Sequence, residues 1–151
     1  MLVVQNNLAV TYRMLGRQDE ASRTFREVYS GFLKINGNQH QETLRAANNY
    51  VSSLMTLKRF EEAKSLLLQT MTVARRVLGE GNDATLMMRL NYAQSLCQDD
   101  GATLDDMREA VTILEETDRT AQRVLGSGHP TAKDTRASLE RARRRLANFQ
   151  K

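Results

Sequence analysis

Two histidines and one cysteine are the side chains of this 151-residue chain best suited to metal binding or catalysis. His40 and His129 are of the residue type that binds zinc or transfers protons, but neither has a second histidine or a cysteine at metal-ligand spacing. We interpret both as structural residues that cap or pack helices. Cys97 has no histidine near it in sequence to activate it as a nucleophile, so we expect a buried, small apolar side chain.

An acidic cluster around Gly101 is the other candidate for metal chemistry. A calcium-binding loop needs glycine at its sixth position and a carboxylate at its first. Placing Gly101 at the sixth position puts Leu96 at the first, so the pattern does not match. The chain also has no phosphate-binding loop, dinucleotide fingerprint or nucleophile elbow. We therefore predict no metal site, no cofactor and no enzyme activity. The cluster consists of Asp99, Asp100, Asp105 and Asp106.

The composition favours long helices. The chain is 40% hydrophobic and 26% charged, with one proline, eight glycines and no tryptophan. Few residues are therefore available for the turns that separate strands. Its net charge of +4 is a modest excess that does not by itself indicate nucleic acid. No apolar run is long enough for a membrane span, and Met1 to Val4 lack the charged region of a signal peptide. With its lone cysteine, the chain is expected to be intracellular, and cytoplasmic by default.

The sequence repeats itself with a period of 42 residues. Asn7 recurs as Asn49, and a third copy begins 42 residues later at Asn91. Later positions of the third copy are shifted by 47 residues, which indicates a lengthened loop within 98–103. Other recurring pairs are Leu15 and Leu57, Arg17 and Arg59, Ala21 and Ala63, Gly37 and Gly79, and Leu44 and Leu86.

Within each repeat, the apolar residues follow helical spacing in two stripes, so each repeat is predicted to be a pair of helices. Gly16 between the stripes, and Gly37 or Gly79 after them, are typical of helix ends that need positive φ. Thr103 and Asp106 form a predicted capping box. The repeats are about 1–39, 40–81 and 82–128, followed by a capping helix at about 130–149. The predicted helices are 2–15, 18–36, 41–57, 60–78, 84–98, 104–125 and 131–148.

The two ends of the chain differ in polarity. Residues 136–151 hold six basic groups against one acid, Glu140, and are too polar to be covered by another repeat. We interpret this stretch as a capping helix whose arginines form a solvated face or a dock for an acidic partner. At the other end, Leu2, Val3 and Val4 begin without a preceding helix and are predicted to expose apolar surface.

Residues 7–21 read Asn-Leu-Ala-x-x-Tyr-x-x-Leu-Gly-Arg-x-x-Glu-Ala, which resembles the tetratricopeptide signature. The 42-residue period, with a junction that reads Leu-Gly-x-x-His-Pro-Thr at 125–131, resembles the kinesin light chain type. The resemblance implies an all-α fold, a right-handed α-solenoid of three tetratricopeptide-like helix pairs plus a C-terminal capping helix, forming one domain over 1–151. No heptad segment of the kind that joins kinesin light chains to heavy chains is present, so motor attachment is not implied.

In the family that the chain resembles, the first helices line a concave groove, and an asparagine before Leu-Ala binds the backbone of an extended peptide. This role falls on Asn7, Asn49 and Asn91, since a carboxamide can both donate to and accept from a peptide unit. Arg13 and Arg45 are candidate anchors for ligand carboxylates. The predicted groove also includes Asn6, Asn48, Ser52, Met87 and Gln94, with Val3, Val10, Met55 and Leu90 beside them.

Other interpretations of these residues stay open. Each asparagine could bond to a neighbouring helix, the arginines could be solvated surface charges, and Met55 and Met87 could be packing residues. The leading hypothesis is a non-catalytic scaffold or adaptor module that binds a protein or peptide ligand. The alternative is a structural subunit of a larger assembly, docked through its outer faces or N-terminal edge. An RNA-binding helical repeat is a third hypothesis, which the scarcity of aromatic side chains argues against. The sequence specifies no oligomeric state.

Overall fold

The computed structural model describes residues 1–151 and contains seven helices and no strand. Every helix predicted from the apolar spacing is confirmed, with each end within one residue of its predicted position. None of the seven has the length and apolar character needed to span a membrane. The helices are α1 (Leu2–Met14), α2 (Gln18–Asn36), α3 (Gln41–Thr56), α4 (Phe60–Leu78), α5 (Asp83–Gln98), α6 (Leu104–Leu125) and α7 (Pro130–Phe149).

The chain divides into two compact units, Met1–Leu78 and Gly79–Lys151. In the first unit α1 packs on α2, α2 on α3, and α3 on α4. In the second unit α5 packs on α6, and α7 packs on both α6 and α5. The helices of the first two predicted repeats therefore fall in the first unit, and those of the third repeat fall in the second with the final helix. The assignment of all 151 residues to one domain stays a prediction.

Small side chains form the contacts between paired helices. In the first unit, Ala9 of α1 and Ala21 of α2 are fully buried and pack with Phe25. Because an alanine adds only a methyl group to the helix surface, the two backbones approach closely and Phe25 fills the space beside them. The half-buried Tyr12 and Tyr50 pack against this cluster.

The second unit repeats this arrangement with a larger core. Ala93 of α5 and Ala110 of α6 are fully buried, and Leu114 packs between them and α7. The predicted capping box at the start of α6 is confirmed, since the Asp106 backbone N–H donates to Thr103 Oγ1 and the Thr103 N–H donates to the Asp106 carboxylate. The remaining members of this core are Leu90, Leu96, Cys97, Met107, Leu139 and Ala142.

The same turn ends the first helix of each repeat in the first unit, with one difference in residue type. After α1, Gly16 has a φ of 79°, and the N–H groups of Gly16 and Arg17 donate back to the last turn. After α3, the turn forms the same hydrogen bonds, but Lys58 occupies the glycine position with a φ of 59°. A side chain in this left-handed conformation brings Cβ close to the following carbonyl, so Lys58 is strained where Gly16 is not.

Lys58→Gly should stabilise the chain, because glycine adopts positive φ without the Cβ contact. We expect the free energy of unfolding to rise by about 1 kcal/mol, measured by urea denaturation followed by circular dichroism. Lys58→Ala is the matched control, since it removes the long side chain but keeps Cβ, and its stability should stay near that of the wild type. Equal stabilisation by both substitutions would show that the turn is not strained.

Candidate functional site

Four of the predicted groove asparagines lie on the first helices of the first unit. Asn6 and Asn7 are on α1, and Asn49 is on α3. The Asn49 Nδ2 donates to Asn6 Oδ1 at 3.3 Å, so the two carboxamides link α1 to α3. Asn49 therefore makes the bond to a neighbouring helix that the alternative interpretation describes. The Asn7 carboxamide is exposed and forms no hydrogen bond within the chain. Asn48, next to this pair, is buried in α3.

The two arginines predicted as carboxylate anchors have different surroundings. The Arg13 guanidinium lies over the Phe25 ring, 5.3 Å from its centroid, so it stabilises the α1–α2 pair through a cation–π contact. Arg45 lies on α3 with its Nη1 3.8 Å from Glu42 Oε1, and both side chains are largely exposed. Ser52, seven residues after Arg45, is half-buried on the same helix face.

In the second unit, the predicted groove residues Met87, Asn91 and Gln94 lie on α5. Asn91 is only 8% exposed, and its Nδ2 is buried without a hydrogen-bond partner. A buried donor with no acceptor in the chain is unusual. Gln94 Nε2 donates to Ser138 Oγ of α7 at 2.8 Å. The amide of Gln94 thus links α5 to α7.

A pocket of 240 Å³ opens between α5 and α7 next to this bond. Arg141 of α7 enters it and donates through Nη2 to Ser138 Oγ at 3.0 Å. Ser138 and Arg141 lie 47 residues after Asn91 and Gln94, so α7 carries the same repeat positions as α5. Sequence reasoning did not place Arg141 beside Gln94, because it interpreted α7 as a capping helix and not as a helix that continues the repeat. The pocket is lined by Gln94, Cys97, Gln98, Ser138, Arg141, Ala142 and Arg145.

Cys97 packs in the core beside this pocket and is 6% exposed. Burial raises the pKa of its thiol, and the smaller opposing effects of Arg145 and Arg141 do not reverse that rise. A thiol kept protonated by burial is a poor nucleophile, so the interpretation of Cys97 as a buried small side chain is confirmed. No group of three His, Cys, Asp or Glu side chains comes together in a way that would hold a metal ion.

A second, larger opening of 460 Å³ lies on the other side of α7, against α6. Ion pairs cross it: Arg136 Nη2 is 3.3 Å from Asp118 Oδ2, and Arg143 Nη2 is 3.0 Å from Glu115 Oε1. These arginines therefore have their charge balanced by carboxylates of the neighbouring helix.

Both histidines begin helices, which confirms their structural interpretation. The His40 Nδ1 accepts from the Glu42 N–H at 3.1 Å at the start of α3, and the His129 Nδ1 accepts from the Thr131 N–H at 3.1 Å at the start of α7. Asn82 replaces histidine at the junction before α5 and makes the same bond through Oδ1, at 2.9 Å from the Ala84 nitrogen. At all three junctions, the residue before the helix therefore supplies a side-chain acceptor for a backbone N–H group of the first turn.

A family model described as tetratricopeptide repeat matches residues 2–42 and again residues 43–83, together more than half of the chain. No curated protein gives a significant sequence match. The chain is similar to solved structures of kinesin light chain nearly identical TPR-like repeats from Podosopora anserina. One has a TM-score of 0.82 at 23% identity, covering 99% of this chain and 68% of the other. A variant of these repeats has a TM-score of 0.58 at 19% identity, covering 99% and 88%.

BtubC (BKLC) from P. vanneervenii is also similar, with a TM-score of 0.62 at 16% identity. The likeness covers 99% of this chain and 64% of BtubC. Identities this low carry information about the fold alone. The predicted fold class, an α-solenoid of three tetratricopeptide-like helix pairs plus a capping helix, is confirmed, and so is the resemblance to kinesin light chain-like repeats.

His129→Ala should lower the free energy of unfolding by about 1 kcal/mol, because the Thr131 N–H at the start of α7 loses its acceptor. His129→Asn should retain most of the stability, since Asn82 makes the same bond at the start of α5. Urea denaturation of the three proteins measures both effects. If His129→Asn were as unstable as His129→Ala, the imidazole would contribute through packing instead of through the cap.

Proposed function

Because the chain belongs to the tetratricopeptide repeat family, we propose that it is a non-catalytic interaction module that binds an extended protein segment along the first helices of its repeats. The tetratricopeptide fold generally serves protein–protein interaction. More specifically, we propose that the ligand's backbone contacts the carboxamides of Asn7 and Asn49 in the first unit and of Asn91 in the second.

The observation that carries this proposal is unused hydrogen-bonding capacity at the repeated asparagine position. The Asn7 carboxamide has no partner within the chain, and the Asn91 Nδ2 is buried without an acceptor. Leaving a buried donor unpaired costs about 1–3 kcal/mol, a cost that a ligand carbonyl oxygen would remove. Because both the donor and the acceptor of a peptide unit belong to the backbone, such contacts give affinity for an extended segment of any sequence.

The Asn6–Asn49 hydrogen bond supports the same function in the first unit. It uses the Asn49 Nδ2 and leaves the Asn49 Oδ1 with no donor within the chain. The bond holds the Asn49 side chain in one orientation, so less conformational entropy is lost when a ligand N–H donates to it. We propose that Asn6 positions Asn49, while the exposed Asn7 makes its own contact with the ligand.

A random peptide library displayed on phage and selected against the purified chain tests this proposal. Each selected peptide is then titrated by calorimetry against Asn49→Ala and Asn91→Ala, with Asn36→Ala and Asn148→Ala as controls at exposed asparagines outside the proposed contacts. We expect Asn49→Ala and Asn91→Ala each to weaken binding by roughly 1–3 kcal/mol. The controls should bind as the wild type does.

Circular dichroism of the same variants checks that helicity is intact. Peptides that bind all four variants with wild-type affinity would remove the asparagines from the contact surface. A library that gives no binder to the wild-type chain would contradict the peptide-binding function itself.

The alternative function, a structural subunit of a larger assembly, is favoured by exposed apolar side chains on α1. Val4 is 67% exposed, whereas Ala46, which occupies the same repeat position in α3, is buried. Thr11 is also exposed, whereas Ser53, at the same repeat position in α3, is buried. The face of α1 that corresponds to this buried face of α3 is therefore open, and a helix of another protein subunit would cover it.

Val4→Glu separates this alternative from the peptide-binding function. If α1 docks into an assembly, the charge should prevent co-purification with the subunit without changing the affinity for library-selected peptides, because Val4 is not among the proposed contacts. Size-exclusion chromatography with light scattering on material from the native host measures the assembly. Identical assembly by wild type and Val4→Glu would contradict docking through this face.

A further inference from the structure

We propose that a second copy of the chain covers the open face of α1, with the two α1 helices antiparallel across a two-fold axis at Leu8. This inference is independent of the peptide-binding function, because Leu8 and Asn7 lie on different faces of the helix. It gives one occupant to the surface on which the alternative function depends. The open face of α1 and its flanking residues consists of Met1, Val4, Leu8, Thr11 and Leu15, all of them exposed.

The first step in the argument is that the corresponding face of α3 packs against a helix. Tyr50 occupies the repeat position of Leu8, and its ring stacks with Tyr29 of α2, with 6.4 Å between the centroids. At the first position of the same face, Thr43 Oγ1 donates to the Phe32 carbonyl oxygen of α2 at 3.3 Å. A neighbouring helix therefore covers this face of α3, whereas the same face of α1 is exposed.

The second step is the spacing of the five residues. Intervals of three and four residues alternate along the face, and at this spacing two helices interlock along a seam. The row extends equally far on each side of Leu8. In an antiparallel pair, Leu8 meets Leu8 of the second copy, Val4 meets Thr11, and Met1 meets Leu15. The face is therefore complementary to itself, as a two-fold interface requires.

The third step is the absence of charged side chains from the face. Before Arg13, α1 carries no acidic or basic side chain. The Arg13 guanidinium lies over the Phe25 ring, and Arg17, which follows α1, is paired with Glu20. Both cations are therefore engaged within their own copy, and pairing of the two faces removes no charge from water.

Thr11 is the polar member of the face, and its hydroxyl group does not oppose burial. Its Oγ1 donates to the Asn7 carbonyl oxygen of the same helix at 3.0 Å. The hydroxyl keeps this hydrogen bond when a second helix covers it, so no donor is left unpaired in the seam.

The fourth step is the choice of partner. A row of uncharged, apolar side chains selects a partner face that is also uncharged, because burying an unpaired charge against it is costly. No other helix carries two large exposed apolar side chains three or four residues apart, so α1 itself is the matching surface that the chain offers. Outside α1 and its flanking residues, the large exposed apolar side chains are Leu33, Ile35, Leu68, Val77, Val124 and Phe149.

One helix from each copy makes a small interface. Because α1 has 13 residues, its seam is about 20 Å long. Two such helices bury less than the surface of about 1,200 Å² that a stable complex buries, so we expect a dissociation constant of about 100 μM. Because both copies use the same face, assembly stops at the dimer.

Sedimentation velocity at concentrations from about 10 to about 500 μM tests the proposal. The wild-type chain should change from monomer to mostly dimer over this range. Leu8→Glu should weaken dimerisation by about tenfold or more, because two carboxylates would meet at the axis. Leu68→Glu is the matched control, since Leu68 is exposed on α4 outside the row, and it should dimerise as the wild type does. Circular dichroism checks that both variants keep their helicity.

Disulfide cross-linking tests the arrangement of the two helices. Under mild oxidation, Leu8→Cys should form a linked dimer, because position 8 meets itself. Val3→Cys, which is more exposed but lies on another face, should cross-link about tenfold more slowly. Val4→Cys mixed with Thr11→Cys should cross-link faster than either variant alone. The wild type gives the background from Cys97, the only thiol of the natural chain.

A wild-type chain that stays monomeric at about 500 μM would overturn the proposal, and so would equal loss of dimer in Leu8→Glu and Leu68→Glu. Faster cross-linking of Val4→Cys alone than of its mixture with Thr11→Cys would indicate parallel helices and contradict the antiparallel pair. Species larger than a dimer would contradict a closed two-fold interface. Each of these results leaves the peptide-binding function to be decided by the asparagine variants.

Discussion

Close packing of paired helices through buried alanines is the constraint on which the rest of the structure depends. Ala9 and Ala21 belong to one core cluster of the first unit, and Ala93 and Ala110 belong to one core cluster of the second, each fully buried. A larger side chain at any of these positions would separate the backbones and displace the polar groups on the outer helix faces. The hydrogen bonds from Asn49 to Asn6 and from Gln94 to Ser138 join first helices that this packing has already placed within reach.

The features that sequence reasoning predicted are those decided by local interactions. The limits of a helix depend on the spacing of its apolar residues and on the residues at its ends, all of which are close together in sequence. All seven helices and the Thr103 capping box are therefore as predicted. Asn82 occupies the junction position that His40 has in the preceding repeat, and both side chains present an acceptor two residues before the N–H that they cap. The chemical role is kept although the residue type changes.

The contacts that sequence reasoning could not predict are those of long side chains between helices. From the sequence, Arg13 and Arg45 are equally plausible anchors for a ligand carboxylate. In the structure, Arg13 lies over the Phe25 ring and Arg45 lies beside Glu42. A guanidinium has several partners within its reach, and the choice depends on the packing of a helix that is distant in sequence. For the same reason, the terminal arginine run reads as one basic stretch, although its members face two different neighbours, α6 and α5.

The repeat register gives the pocket between α5 and α7 a simple origin. Adding 47 residues to Asn91, Gln94 and Gln98 leads to Ser138, Arg141 and Arg145, so α7 keeps the positions of a first helix while replacing neutral amides by a hydroxyl and two cations. On the side of α7 that faces α6, Arg136 and Arg143 are paired with acids of that helix, as the polar side of a capping helix would require. Capping does not account for unpaired arginines on the side facing α5. Arg141 and Arg145 instead occupy the repeat positions that Gln94 and Gln98 occupy on α5.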